Sequence, residues 1–133
     1  MPTVSHDRTV DGSGNTSYKS NITELRPGKK YFVRSYAKND AGVSYGNKRS
    51  FSTPPDYCEL TTADVTDLTT TSARSGGNIT DDGGSLIKAR GVCWSKNPIP
   101  TIDDLKTTNG SGTGTFSSDL KNLEPNTVYY VRA

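Results

Sequence analysis

The fold of this chain is decided by two matching stretches, LRPGKKYFVRSY at residues 25–36 and LEPNTVYYVRA at residues 123–133. In both stretches aromatic or β-branched residues recur at every second position: Tyr31 and Val33 in the first, Tyr129 and Val131 in the second. A period of two in such residues is typical of a β-strand with one buried face. No window of eleven or more residues repeats its apolar positions at helical spacing. The sequence therefore predicts an all-β fold.

An internal repeat organises the chain. Shifted by 98 residues, Pro2–Ser35 aligns without a gap on Pro100–Ala133, with 12 of 34 positions identical. Repeats of this kind reveal the modular unit of a protein. The alignment predicts that residues 2–53 are the C-terminal part of one repeat, residues 54–56 a linker, and residues 57–133 a second repeat that lacks its last strand.

Turns rich in Gly, Asp and Asn divide the second repeat into short β-segments. The predicted strands are Ala63–Leu68, Ser72–Thr80, Ile87–Ser95, a weak strand before Asn109, Thr115–Leu120 and Val128–Ala133. A seventh strand is present only in the first copy, at Val43–Thr53. Six or seven short strands at spacings of roughly ten residues indicate an antiparallel β-sandwich.

Composition excludes several classes of protein. The 133 residues carry 16 Lys and Arg against 14 Asp and Glu, a net charge of +2 with the signs interspersed. A basic domain that binds nucleic acid commonly has a pI above about 9, so the value of 8.5 argues against that role. No apolar run approaches the ~18 residues of a membrane helix. The sequence thus predicts neither a nucleic-acid partner nor a membrane span.

The residues needed for catalysis or metal binding are sparse. One His and two Cys show no metal-ligand spacing, and no Ser or Cys lies in a Gly-x-Ser-x-Gly context. We therefore expect no catalytic residue, no cofactor and no metal site, and the chain is predicted not to be an enzyme. Cys58 and Cys93 are 35 positions apart; two reduced thiols are the favoured interpretation, and a disulfide between them is left open.

The pattern Leu123-x-Pro125-x-Thr127-x-Tyr129-x-Val131 resembles the fifth-to-sixth-strand signature of fibronectin type III domains. The resemblance implies a "tyrosine corner", in which the Tyr129 ring enters the core and its hydroxyl bonds to backbone near Leu123–Pro125. The first copy repeats the pattern. The predicted corner and core residues are Leu25, Pro27, Tyr31, Val33, Val92, Trp94, Leu123, Pro125, Tyr129 and Val131.

The segments SGGNIT (75–80), DGG (82–84) and RGVCWS (90–95) are similar to the tandem fibronectin type III-like repeats of Bacteroidetes surface proteins. This resemblance implies an immunoglobulin-like β-sandwich in a secreted or cell-surface bacterial protein with several such modules. It implies no particular ligand, because one fold serves many functions.

The expected function is a non-catalytic structural or adhesive interaction module, or a spacer, whose partners are other protein domains or surface glycans. The alternative is a carbohydrate-binding accessory module of a glycan-processing or glycan-capturing protein. For that alternative, the candidate ligand-facing aromatic residues are Phe32, Tyr36 and Tyr130. The sixth strand, Val128–Ala133, is expected to lack a neighbour, and an open strand edge recruits other strands. A strand-exchanged homodimer is therefore a further predicted partnership.

Overall fold

The computed structural model describes all 133 residues and contains ten short β-strands and no helix. Every pairing between strands is antiparallel. These observations confirm the predicted all-β, antiparallel fold class. No element of the structure is a helix long and apolar enough to cross a membrane. The chain divides into two compact units, Met1–Pro55 and Asp56–Ala133, and the division falls within residues 54–56.

The first unit contains four short strands that form two antiparallel pairs, called the ribbon here. Its strands are β1 (Lys30–Val33), β2 (Tyr36–Asn39), β3 (Gly42–Tyr45) and β4 (Arg49–Ser52). β2 and β3 form a hairpin, and β1 pairs with β4. At the hairpin turn the Asn39 side-chain oxygen accepts hydrogen bonds from the N–H groups of Ala41 and Gly42. The φ of Gly42 is 141°, which explains the glycine at this position.

The prediction of one continuous strand over Val43–Thr53 is wrong, because the ribbon is interrupted. Residues 34–35 and 46–48 lie outside the strands, and the Gly46 N–H donates to the Ser35 carbonyl at 2.9 Å. The interruption also changes which face is covered. Tyr31 and Val33 are half-buried before it, whereas Tyr36 is half-buried after it and Ser35 is exposed. A simple period of two therefore does not hold across the break.

The second unit contains two three-stranded sheets. Its strands are β5 (Glu59–Thr62), β6 (Ser72–Asp81), β7 (Cys93–Ser95), β8 (Leu105–Lys106), β9 (Gly114–Lys121) and β10 (Tyr130–Arg132). One sheet has the order β5-β6-β9 and the other the order β10-β7-β8. The first, second and fifth strands of the unit thus share one sheet, and the third, fourth and sixth share the other.

The core of the second unit is built from side chains of both sheets. Ala73 and Leu120 come from the β5-β6-β9 sheet, and Trp94 comes from β7. Val92 immediately precedes β7, and Leu123 follows β9 by two residues. Phe116, Tyr129 and Val131 are half-buried against this cluster. Two sheets that contribute to one apolar layer have the arrangement of a β-sandwich.

The predicted strands Ser72–Thr80 and Thr115–Leu120 are present as β6 and β9. The predicted first strand, Ala63–Leu68, is wrong: the first strand is Glu59–Thr62. Asp67 has a φ of 49°, in the left-handed region, which is incompatible with continuous extended backbone. Thr66 makes only an isolated bridge, with Arg74.

The other predicted strands are longer than those in the structure. Of Ile87–Ser95 only Cys93–Ser95 is a strand, because the preceding residues bond irregularly to a loop: the Ile87 and Arg90 carbonyls accept from Gly112 and Asn109. The weak strand before Asn109 is the two-residue β8, and Val128–Ala133 is reduced to β10. Short pairings with irregular flanks are hard to delimit from residue pattern alone.

Equivalent residues of the two copies differ sharply in burial. Leu120 is 1% exposed in the second unit, whereas its counterpart Ile22 is 45% exposed in the first. Residues 16–23, which correspond to β9, form no strand. In the second unit β9 pairs with β6 over eight residues. In the first unit residues 16–23 have no strand partner.

This contrast gives a matched pair of variants. We expect Leu120→Ala to lower the free energy of unfolding of the second unit by about 2–5 kcal/mol, because it removes buried apolar volume. Ile22→Ala should change the free energy of unfolding of the first unit by less than about 0.5 kcal/mol. Trp94, the single tryptophan, lies in the core of the second unit, so its fluorescence in urea follows that unit, and far-UV circular dichroism follows both units. Equal effects would contradict the assigned core.

Candidate functional site

The turn before β10 is held by a hydrogen bond from backbone to tyrosine. The Glu124 N–H donates to the Tyr129 hydroxyl oxygen at 3.2 Å, and Asn126 at the turn has a φ of 54°. Leu123 is buried, and its N–H donates to the Thr71 carbonyl. The Tyr129 ring is half-buried against the core, less deeply than the resemblance implied.

The first unit has the same turn at the equivalent positions. The Arg26 N–H donates to the Tyr31 hydroxyl oxygen at 2.8 Å, and Gly28 has a φ of 62°. Each of these three residues lies 98 positions before its counterpart in the second unit. The Tyr31 ring stacks on Phe51 of β4, with 5.8 Å between ring centroids. The turn and its tyrosine therefore form in both copies, even though their cores differ.

The predicted corner and core residues differ in how deeply they are buried. The structure buries Val92, Trp94 and Leu123, half-buries Leu25, Tyr31, Val33, Tyr129 and Val131, and leaves Pro27 and Pro125 exposed. The Trp94 indole N–H is buried and has no hydrogen-bond partner. Trp94 thus belongs to the core and presents nothing to a ligand.

The three candidate ligand-facing aromatic residues behave differently. Phe32 in β1 is 50% exposed, and Tyr130, its counterpart in β10, is 42% exposed. The ammonium groups of Lys30 and Lys48 lie 5.6 and 5.1 Å from the centre of the Phe32 ring. Tyr36 is half-buried, and its hydroxyl donates to the Thr9 carbonyl at 3.0 Å. Of the three candidates, Phe32 and Tyr130 are therefore the ones with exposed rings, one in each unit.

A polar cluster that the sequence reasoning missed also recurs in both copies. In the second unit the Asn109 side-chain oxygen accepts from the Thr107 and Ser118 hydroxyls at 2.7 and 2.6 Å, and its NH₂ donates to the Ser117 carbonyl. Ser118 is almost fully buried. The alignment of Thr9 with Thr107 and of Ser20 with Ser118 was the available signal.

The first unit carries an aspartate at the centre of its version of this cluster. Asp11 accepts from the hydroxyls of Ser20 and Thr9, and these two hydrogen bonds lower the pKa of its carboxyl. A carboxylate is tolerated there because Asp11 and Ser20 are exposed to water, with only Thr9 half-buried. Asn109 is half-buried, where a neutral amide avoids the desolvation of a charge.

The remaining shifted groups are surface ion pairs. Lys96 donates to Glu124 at 2.7 Å, and Arg74 donates to Asp119 at 2.9 Å. These hydrogen bonds raise the pKa of the Lys96 ammonium and of the Arg74 guanidinium. Arg74, Asp119 and Asp67 line the rim of a shallow depression of about 290 Å³. Exposed pairs of this kind contribute little to stability.

The titratable and thiol groups do not converge on one place. His6 is exposed and hydrogen-bonds to nearby Thr3, and no three His, Cys, Asp or Glu residues form a group able to hold a metal ion. Cys58 and Cys93 are both free. Cys93 is buried, and its thiol donates to the Arg132 carbonyl at 3.4 Å.

Two comparisons with known proteins identify no related family or protein. A scan against protein-family models finds no match, and a search of curated proteins finds none either.

The hydrogen bond at the turn can be tested with adjacent tyrosines. We expect Tyr129→Phe to lower the free energy of unfolding of the second unit by about 1 kcal/mol, because the Glu124 N–H loses its acceptor. Tyr130→Phe, at an exposed neighbouring ring, should have no effect. Urea unfolding monitored by Trp94 fluorescence compares the two. A neutral Tyr129→Phe would show that the bond does not stabilise the turn.

The preference of each polar cluster for its central residue can be tested by exchanging the Asn109 amide and the Asp11 carboxyl. We expect Asn109→Asp to cost about 1–3 kcal/mol at neutral pH, because a half-buried carboxylate would face the Ser117 carbonyl that now accepts a hydrogen bond. If burial raises the pKa of the new carboxyl above its unfolded value of about 3.9, the loss should shrink as the pH falls through that raised pKa and be absent below about 3.9. Asp11→Asn is the control and should leave unfolding of the second unit unchanged.

Proposed function

We propose that the chain consists of fibronectin type III-like repeats and is a non-catalytic structural or adhesive interaction module, or a spacer, of an exported bacterial surface protein. The observation that carries the proposal is the hydrogen bond from backbone to tyrosine, found at Tyr31 and again at Tyr129. A tyrosine hydroxyl that bonds a few residues upstream, at the start of a late strand, is a hallmark of immunoglobulin-like sandwiches.

The strand order of the second unit supports the same proposal. In an immunoglobulin-like sandwich the first, second and fifth strands share one sheet, while the third and sixth are neighbours in the other. The orders β5-β6-β9 and β10-β7-β8 follow this scheme, with β8 beside the third strand. The bacterial and exported character rests on the resemblance of the sequence segments alone.

A mechanical or adhesive role fits the distribution of groups on the surface. Charged side chains of both signs are dispersed over it, and the polar clusters are engaged in holding turns. A repeated module suits a spacer, because each copy can position its neighbours without chemistry of its own. Its partners are then other protein domains of the same surface.

One observation favours the second candidate, a carbohydrate-binding accessory module. Phe32 and Tyr130 occupy equivalent positions and expose their rings in both copies. An exposed aromatic ring offers an apolar surface on which the face of a sugar can stack. The lysines beside Phe32 would favour sugars that carry a carboxylate or sulfate group.

A glycan array separates the two candidates. We expect no specific binding by the full chain, as a spacer or protein-binding module requires. Glycan binding that is lost in Phe32→Ala or Tyr130→Ala would establish the second candidate instead. Tyr57→Ala is the matched control, because Tyr57 is almost fully exposed and has no counterpart in the repeat.

A further inference from the structure

Asn109, at the centre of the polar cluster of the second unit, is followed by Gly110. It is the only one of the nine asparagines of the chain that precedes a glycine. The side-chain amide of an asparagine can react with the backbone nitrogen of the next residue, and a side chain on that residue hinders the approach. Glycine has no Cβ and moves freely, so Asn-Gly is the dipeptide in which this reaction is least hindered.

The backbone nitrogen that would attack is accessible. Gly110 is exposed, and apart from its two chain neighbours no atom lies within 4 Å of the point that a Cβ would occupy. Its N–H donates to no backbone carbonyl. Water or hydroxide can therefore take the proton from this nitrogen without breaking a backbone hydrogen bond of the fold.

The amide carbon that would be attacked is activated by two hydroxyl groups. The side-chain oxygen of Asn109 accepts from Thr107 at 2.7 Å and from Ser118 at 2.6 Å. The Val92 N–H donates to the Thr107 hydroxyl oxygen at 3.0 Å, which leaves the hydrogen of that hydroxyl free for Asn109. Negative charge develops on an amide oxygen when a nucleophile adds to its carbon, and donors already directed at the oxygen stabilise that charge. Ser118 is only 2% exposed, so water screens its hydrogen bond little.

We propose that Asn109 deamidates spontaneously in the folded second unit, with the Thr107 and Ser118 hydroxyls stabilising the oxyanion. The Gly110 nitrogen forms a bond to Cγ of Asn109, and the bond between Cγ and Nδ2 breaks. The amide group leaves as ammonia, taking up a proton equivalent to the one that the Gly110 nitrogen loses, and a succinimide ring remains. Water then opens the ring at either carbonyl, which leaves aspartate or isoaspartate at position 109. The reaction is independent of whether the module is a spacer or binds glycans.

The product carries a charge that its surroundings do not accommodate. Nδ2 of Asn109 now donates to the Ser117 carbonyl at 2.7 Å, and a carboxylate oxygen in its place has no hydrogen to donate. The first copy has Asp11 at the equivalent position, but that residue is exposed, whereas Asn109 is half-buried. Deamidation therefore makes the second unit less stable as the protein ages.

Peptide mass spectrometry of the intact chain, digested after incubation at mildly alkaline pH, tests the site. The other eight asparagines in the same sample serve as internal controls. We expect Asn109 to convert several-fold faster than any of them, and the urea concentration at which Trp94 fluorescence changes to fall in step with the conversion. A rate at Asn109 no higher than at the other asparagines overturns the proposal.

Ser118→Ala distinguishes activation of the amide from protection of it. If the hydroxyl stabilises the oxyanion, its removal should slow deamidation of the native chain by about tenfold. If the hydroxyl only holds the side chain in place, its removal should speed the reaction. Ser117→Ala is the matched control, because Ser117 is exposed and contributes only its backbone carbonyl to the cluster. In urea all three chains should react alike.

Trp94 fluorescence shows whether Ser118→Ala is folded. If that variant is unfolded, the unmodified chain with and without urea gives the same test, because the native chain must then react faster than the unfolded one. A rate that is unchanged or raised in folded Ser118→Ala overturns the proposal. So does a native chain that reacts no faster than the chain in urea.

Discussion

Leu120 and Trp94 pack into one core from opposite sheets of the second unit. The packing between these two sheets determines which apolar side chains are buried. In the second unit this packing buries Leu120 on the inner face of β9. In the first unit the equivalent residues belong to no strand, and Ile22 is 45% exposed. The hydrophobic effect acts only on surface that another surface can cover. The same sequence pattern therefore produces a core in one copy and an exposed ribbon in the other.

Local interactions do not depend on that packing. The hydrogen bonds from Arg26 to Tyr31 and from Glu124 to Tyr129 each span five residues, and both are present. The left-handed residues of the two turns are likewise equivalent, since Gly28 and Asn126 have φ values of 62° and 54°. A turn closed by a nearby side chain needs only its own few residues. The turn before β1 and β10 is thus the part of the repeat that forms in either setting.

The aromatic side chains of the two copies differ in whether they are already bonded or packed within the protein or are open to a partner. Tyr36 donates to backbone, and Trp94 is enclosed by the core, so neither offers a surface to a partner. Phe32 and Tyr130 remain exposed at matching positions. Exposed rings are surfaces for association rather than for chemistry.

The sequence by itself determined the all-β class, the strands β6 and β9, and the equivalence of the two tyrosine turns, because these depend on alternation and on residues close in the chain. Alternation could not place β5 or the short β7, since pairing with β6 places β5, and hydrogen bonds to a distant loop replace a regular strand before β7. Nor could it show that Asn109 joins Thr107 to Ser118, or that Phe32 is open while Tyr36 is held. Only the tertiary structure decided these, because burial and side-chain pairing depend on which surface lies opposite.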